Sequence, residues 1–115
     1  MLSKRWPNGW TRPETLHNVT NKYGWRVSFP ISLWLGERTD IGFGTYIQAK
    51  YGVTIGDETQ IGGHCLIYSY DSIGDRRGPV IIGRACKIGS FSLILPGAVI
   101  PDGTFIKAHS IVKPI

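Results

Sequence analysis

From residue 35 onward, aliphatic residues recur at every sixth position of the chain. Reading in sixes gives LGERTD, IGFGTY and IQAKYG, then, after Val53 and Thr54, IGDETQ, IGGHCL and IYSYDS. After a second interruption at 73–81 the series continues as IGRACK, IGSFSL, ILPGAV, IPDGTF and IKAHSI. All eleven hexads begin with Leu or Ile, and the fifth position is small in nine of them. A period of six matches neither an amphipathic helix nor a sheet of hairpin-connected strands.

This period predicts an all-β coil in which three hexads make one turn, each hexad supplying a short strand and a corner. The first residue points inward and stacks on its equivalent in the next turn. The fifth also points inward, so Cys65 and Cys86 are expected to be inert core residues. Gly follows the first residue in six hexads, where we expect it to supply positive φ at the corner. The sequence therefore predicts a parallel β-helix with a continuous apolar core.

Two stretches carry a resemblance to a known family: "IGFGTYIQAKYGVTIGDETQIGGHC" and "VIIGRACKIGSFSLILPGAVIPDGTFIKAHSIV". They resemble the hexapeptide-repeat acyltransferases, and within them the sugar and nucleotide-sugar acetyltransferases. The resemblance covers about residues 35–115 and implies a left-handed parallel β-helix. It also implies a homotrimer that binds acetyl-CoA, the acyl donor, between adjacent subunits without a metal.

Residues 1–34 lack the repeat and are expected to cap the coil. Thr11 and Glu14 have capping-box spacing, and Leu16, Val19 and Tyr23 fall on one helical face, so a short helix is predicted over about 12–23. Such a cap would cover the terminal strand edges of the coil. Packing in the cap or at a subunit contact is favoured over a ligand cage for the four tryptophans, Trp6, Trp10, Trp25 and Trp34.

Acyl transfer from a thioester needs a base that takes the acceptor's proton, and histidine suits that task near neutral pH. His64 occupies position four of its hexad, on the outside or at a corner, in a "GGHC" context that loosely resembles family members. The resemblance makes His64 the candidate base, with an ordinary exposed histidine as the alternative. For His109 a surface role is favoured, and for His17 capping or packing.

One departure from the family bears on catalysis. In the galactoside and maltose branch, the catalytic histidine lies in the segment that matches "IYSYDS", where this chain has Tyr70, Asp71 and Ser72. Either His64 replaces that base, or the acceptor is an amine that needs less help, or the protein is not catalytic.

The late hexads resemble the family's cofactor groove. The resemblance assigns Ser90 and Ala108 to the pantetheine arm of acetyl-CoA. Lys107 and Lys113 are candidates for its phosphates, with solvated surface lysines as the alternative for each.

The interruption at 73–81 cannot enter a packed turn, so we expect it to bulge outward at a corner. It is rich in turn-forming residues, and loops on a rigid scaffold often bind ligands. Asp71, Arg76 and Arg77 are therefore candidates for holding a polar or phosphorylated acceptor. A solvated turn or a subunit ion pair is the alternative.

Composition and charge narrow the possible partners, locations and functions of the chain. The net charge of +5 favours anionic partners, but the basic residues are scattered, which argues against nucleic acid. With no apolar run of bilayer length and no signal-peptide pattern in MLSKRWPNGW, a cytoplasmic location is expected. A non-enzymatic β-helical trimer that serves as a scaffold stays open. A metal enzyme of the β-helical carbonic anhydrase type is disfavoured, because the three histidines are far apart in sequence.

Overall fold

The computed structural model describes residues 6–115. Residues 1–5 lie outside the described residues. They belong to the predicted N-terminal segment (1–34) and to the stretch MLSKRWPNGW, which shows no signal-peptide pattern. Within the described range, thirteen short strands form three parallel sheets and two form an antiparallel hairpin. Sheet I contains β1 (Arg26–Ser28), β4 (Tyr46–Gln48), β7 (Leu66–Tyr68), β12 (Leu93–Ile94) and β15 (Ile111–Val112). Sheet II contains β2 (Leu33–Leu35), β5 (Val53–Ile55), β10 (Val80–Ile82) and β13 (Val99–Ile100). Sheet III contains β3 (Asp40–Ile41), β6 (Gln60–Ile61), β11 (Lys87–Ile88) and β14 (Phe105–Ile106), and the hairpin pairs β8 (Tyr70–Asp71) with β9 (Arg76–Arg77).

Consecutive strands visit sheets I, II and III in turn, so the chain winds as a coil. In sheet I, Tyr46 pairs with Arg26 on one side and Leu66 on the other, and Leu93 pairs with Leu66 and Ile111. The predicted all-β parallel β-helix is therefore confirmed. The coil also begins before the first hexad, because β1 and β2 already pair with strands of the next turn.

The core has the composition that the hexads predict. The initial aliphatic residues of the inner turns, such as Ile55 and Ile67, are fully buried, whereas Ile106 in the last turn is only partly covered. Small residues at position five are buried beside them, and their hydroxyls donate to backbone carbonyl oxygens of the same or the next turn. Thr59 Oγ1, for example, donates to the Gly83 carbonyl oxygen of the next turn at 2.6 Å. The other buried residues at position five are Thr39, Thr45, Cys65, Cys86, Ser92 and Ala98.

Glycine at position two has a different role from the predicted one. A Cβ on Gly42 would lie 2.4 Å from the Gly63 nitrogen, and a Cβ on Gly89 would lie 2.3 Å from the Ala108 nitrogen. These glycines therefore allow the backbones of adjacent turns to approach closely. Positive φ occurs instead at position four, and the residues that adopt it there are Arg38, Gly44, Glu58, His64, Ala85, Phe91, Gly97, Gly103 and His109.

The helix predicted over about 12–23 is wrong, because the only helix within residues 6–115 is the 3-10 turn Pro30–Ser32. The segment is irregular instead, with a tight turn that pairs Leu16 with Val19, and it lies along the open edge of the first turn. Its Asn18 N–H donates to the Val27 carbonyl oxygen at 2.7 Å, and the Trp10 indole donates to the Thr39 carbonyl oxygen at 2.9 Å. The unpaired strand edge offers hydrogen-bond partners that an isolated helix would leave unused. No helix in the described range is long and apolar enough to cross a membrane.

Three corners separate the three sheets, and each has its own chemistry. The histidine corner joins sheet III to sheet I (42–45, 62–65, 89–92 and 107–110). The hairpin corner joins sheet I to sheet II (49–52, 69–79 and 95–98). The charged corner joins sheet II to sheet III and carries exposed ion pairs such as that of Arg84 Nε with Asp102 Oδ2 at 3.8 Å. The outward bulge predicted for the interruption is confirmed, because the chain leaves the hairpin corner as the β8–β9 hairpin and returns at β10.

Candidate active site

His64 lies at the histidine corner with its side chain exposed. Its φ of 55° is the left-handed conformation that nine of the eleven hexads adopt at position four. Its backbone N–H donates to the Phe43 carbonyl oxygen of the preceding turn at 2.9 Å. The repeat itself therefore turns this side chain away from the core and onto the outer edge of the coil.

The His64 ring is packed between neighbouring turns. It stacks on the Phe91 ring of the next turn, with centroids 5.1 Å apart and planes inclined by 14°. On the other side it lies over Gly44, where a Cβ would come within 2.4 Å of His64 Nδ1. The Phe43 ring meets it edge-on at 5.9 Å, and His109 stacks on the far face of Phe91 at 5.2 Å. The imidazole thus has a fixed plane and an open edge.

Three of the four predicted cofactor residues lie at the same corner, on the C-terminal side of His64. The Ser90 Oγ accepts the Gly63 N–H at 3.2 Å, next to His64 in the chain. Ala108 and Lys107 are exposed in the last turn of this corner. Lys113 follows β15 and therefore lies at the hairpin corner, apart from the other three.

The predicted acceptor residues lie on the hairpin, at a different corner from His64. Arg77 Nη2 forms an ion pair with Asp75 Oδ1 at 2.6 Å, and this hydrogen bond holds the pKa of the Asp75 carboxyl below its usual value. Asp71 Oδ1 accepts the Ile73 N–H at 3.1 Å, which ties it into the turn. Arg76 is exposed. A single chain therefore does not bring Asp71, Arg76 and Arg77 to His64.

Sequence reasoning missed the side chains that surround Arg77. Its guanidinium lies 5.3 Å from the centroid of Tyr51 and 5.8 Å from that of Tyr70. The Lys50 ammonium lies at similar distances from the same two rings. The available signal was that Lys50 and Tyr51 come just before the first slip in the repeat, at the corner where the second interruption also occurs.

The remaining histidine and the cysteines have structural partners. His17 Nδ1 accepts the Phe29 N–H at 2.9 Å, as expected for a packing residue. Cys65 and Cys86 are buried, which confirms them as core residues, and burial raises the pKa of the Cys65 thiol. Within residues 6–115, no three His, Cys, Asp or Glu side chains cluster as metal ligands would.

Comparison with known proteins gives one distant similarity. No family model matches the chain. The chain is 27% identical over 106 residues to the bifunctional protein GlmU of Streptomyces griseus subsp. griseus. This match covers 92% of the chain but 21% of GlmU, so the chain spans about a fifth of that relative's length. The similarity agrees with the hexapeptide-repeat resemblance and does not distinguish the sugar acetyltransferases within it.

Proposed function

We propose that this chain is an acyl-CoA-dependent acyltransferase that transfers an acetyl group to an amino or hydroxyl group of a sugar or nucleotide sugar. The parallel β-helix and the distant similarity to GlmU support an acyltransferase-type function at the family level. The observation that carries the proposal is the placement of His64 beside Ser90 at one exposed corner.

In the proposed reaction, the His64 imidazole takes a proton from the acceptor's amino or hydroxyl group. The acceptor atom attacks the thioester carbonyl carbon, the carbon–sulfur bond breaks, and the CoA thiolate leaves. The imidazolium then returns the proton to the thiolate. Phe91 and Gly44 keep the ring in one plane, so that its orientation is fixed before the substrates bind.

A homotrimer would complete this site. Asp71, Arg76 and Arg77 can contact an acceptor at His64 only if the hairpin corner of one subunit meets the histidine corner of a neighbour. Exposed apolar side chains favour such an assembly: on sheet II, the paired residues Ile81 and Val99 are 44% and 59% exposed. Surfaces of this kind usually mark protein contacts.

A non-enzymatic trimer is the second candidate. It is favoured because the chain lacks the usual catalytic histidine of the galactoside branch. The matching positions hold Tyr70 and Asp71, which lie on the hairpin, remote from the histidine corner. In a scaffold, the same apolar surfaces would bind partners and His64 would be an ordinary corner residue.

The test is calorimetric titration of the purified protein with acetyl-CoA, with free CoA alongside. We expect saturable binding at one site per chain, weakened by Ser90→Leu or Lys107→Gln. His64→Ala should keep the binding but lower CoA release with a responsive sugar acceptor by about 10²- to 10⁴-fold. His109→Ala is the matched control, because it has the same hexad position and stacks on the same ring.

Absence of heat with acetyl-CoA at high micromolar concentration would reject the transferase. Equal losses of turnover in the His64 and His109 variants would reject His64 as the base. A sedimentation experiment that shows only monomers at assay concentrations would reject the shared site.

A further inference from the structure

The histidine corner extends one turn further toward the N-terminus than the hexads predict. Gly24 has a φ of 89°, the conformation of position four, and its carbonyl oxygen accepts the Gly44 N–H at 2.8 Å. Trp25 is 2% exposed and fills position five of this additional corner. Lys22 and Tyr23 therefore occupy positions two and three, directly above Phe43.

Contacts run without a break from this end of the corner to His64. The Phe43 ring fills the space beside Gly24, where a Cβ would come within 2.2 Å of it, and the ring then meets His64. Adjacent strands of a sheet lie about 4.8 Å apart, so the level of Tyr23 is roughly 10 Å from the level of His64. Ser90 and Ala108, which the proposed function gives to the donor, lie on the opposite side of His64. The acceptor must then approach from the side of Phe43 and Tyr23.

A cavity of about 420 Å³ opens at that end, between residues 11–14 and 19–23. Its volume lies within the range of small-molecule sites. Arg12, Lys22 and Glu14 line it, so its charge is net positive. Tyr23, which is 43% exposed, lines both this cavity and a neighbouring one of about 160 Å³ that Trp10 also lines.

Asn21 also lines the cavity, and its side chain is held by the backbone. Asn21 Oδ1 accepts the Tyr23 N–H at 3.0 Å and the Trp25 N–H at 3.4 Å, which fixes the side-chain amide. Its Nδ2 is buried without a partner among the described residues. Because this atom is buried, Asn21 shapes the wall of the cavity and does not offer this donor to a ligand.

We infer that this N-terminal cavity binds the nucleoside diphosphate portion of a nucleotide sugar, whose sugar then reaches His64. The Tyr23 ring suits a nucleobase, the cations suit phosphates, and the Glu14 carboxylate offers an acceptor for a ribose hydroxyl. The separation of roughly 10 Å requires an acceptor longer than a monosaccharide. That the sugar points toward His64 rests on the proposed function, whereas the nucleotide site itself does not.

The test is calorimetric titration of the full chain with UDP, dTDP and GDP, without acetyl-CoA. We expect at least one of them to bind, and Tyr23→Ala to weaken it roughly 5- to 140-fold. Lys22→Gln should weaken it about tenfold and reduce its salt dependence. Because Lys22 is exposed, this second variant keeps the test valid if Tyr23→Ala fails to fold. The matched control is Lys87→Gln, which removes an exposed cation from β11 and should leave nucleotide binding unchanged.

The outcomes separate the inference from the proposed function. If no nucleotide binds, or if Tyr23→Ala and Lys22→Gln both bind it as tightly as the natural chain does, the N-terminal site is overturned. A parallel titration with acetyl-CoA reports on the transferase, so a chain that binds acetyl-CoA but no nucleotide retains the proposed function and loses this inference. A chain that binds a nucleotide but no acetyl-CoA would retain the N-terminal site and lose the proposed function.

Discussion

Replacing Gly56 by alanine tests whether close approach of the turns, rather than positive φ, requires glycine at position two. A Cβ on Gly56 would lie 2.6 Å from the Arg84 nitrogen, whereas ordinary van der Waals contact begins at 3.4 Å. Backbone is the obstacle here, so no side chain can move aside. The two turns must therefore separate locally by about 0.8 Å.

That separation sets the size of the expected effect. The Gly56 N–H donates to the Ile82 carbonyl oxygen at 2.8 Å, and Gln60 and Ala85 make neighbouring bonds between the same turns at 2.9 Å. Stretching the first bond by about 0.8 Å takes it beyond hydrogen-bonding distance. Losing two or three such bonds at about 1 kcal/mol each gives a destabilisation of about 2–3 kcal/mol. Overpacked cores show losses of the same size.

Gly103 provides the matched control at the same corner. Its φ is +73° and a Cβ there would meet nothing within 4 Å, so alanine costs only the left-handed conformation, about 1–2 kcal/mol. Asparagine tolerates that conformation better. Gly103→Asn should therefore lower the unfolding free energy less than Gly103→Ala does, whereas Gly56→Asn should lower it at least as much as Gly56→Ala.

The assay is guanidinium unfolding of the four variants, followed by far-UV circular dichroism and compared with the natural sequence. Two results would refute the reasoning. One is a Gly56→Ala variant within about 0.5 kcal/mol of the parent in unfolding free energy. The other is a Gly56→Asn variant clearly more stable than Gly56→Ala, which would restore the conformational explanation.

Three further predictions concern the core, the thiols and the hairpin. Ile67→Ala, at a fully buried position, should lower the unfolding free energy by about 2–5 kcal/mol in the same assay, and a loss below about 1 kcal/mol would contradict the stacked core. Cys65 and Cys86 should react with a thiol reagent only on unfolding, because both are buried and the raised pKa of Cys65 further suppresses its thiolate. Fast labelling of the native protein would contradict the closed coil. Because Arg77 lowers the pKa of Asp75, the ion pair should persist at neutral pH and be lost only in acid, as the pH falls through this lowered pKa. An NMR titration should show that Arg77→Gln raises the pKa of Asp75 toward its ordinary value. An identical titration curve in both proteins would contradict the pairing.

The candidate site was only partly predictable. His64 could be placed on the outside because position four alternates with buried position five, and both positions are visible in the hexad. Its stacking on Phe91 was not predictable, since the second interruption makes one turn longer and hides which residues of adjacent turns align. That Lys113 lies at a different corner from Lys107 follows from the repeat, because the two residues are one hexad apart.

The N-terminal segment shows where local sequence signals fail. Leu16, Val19 and Tyr23 have helical spacing, but the exposed edge of β1 competes for the same backbone groups and prevails. Tertiary hydrogen bonds can override a short helical pattern, because a helix of about three turns is marginal by itself.

The sequence by itself determined the parallel coil, the inward aliphatic residues and the outward hairpin, since a six-residue period and an insertion between hexads leave few ways to bury a continuous core. Only the tertiary structure decided the reason for glycine at position two, the non-helical path of the N-terminal segment, and which side chains share a corner. These depend on distances between turns that are remote in sequence, such as the 2.4 Å separating a Cβ on Gly42 from the Gly63 nitrogen. A repeat pattern specifies the residues of each turn, whereas the contacts between turns also depend on the length of every corner.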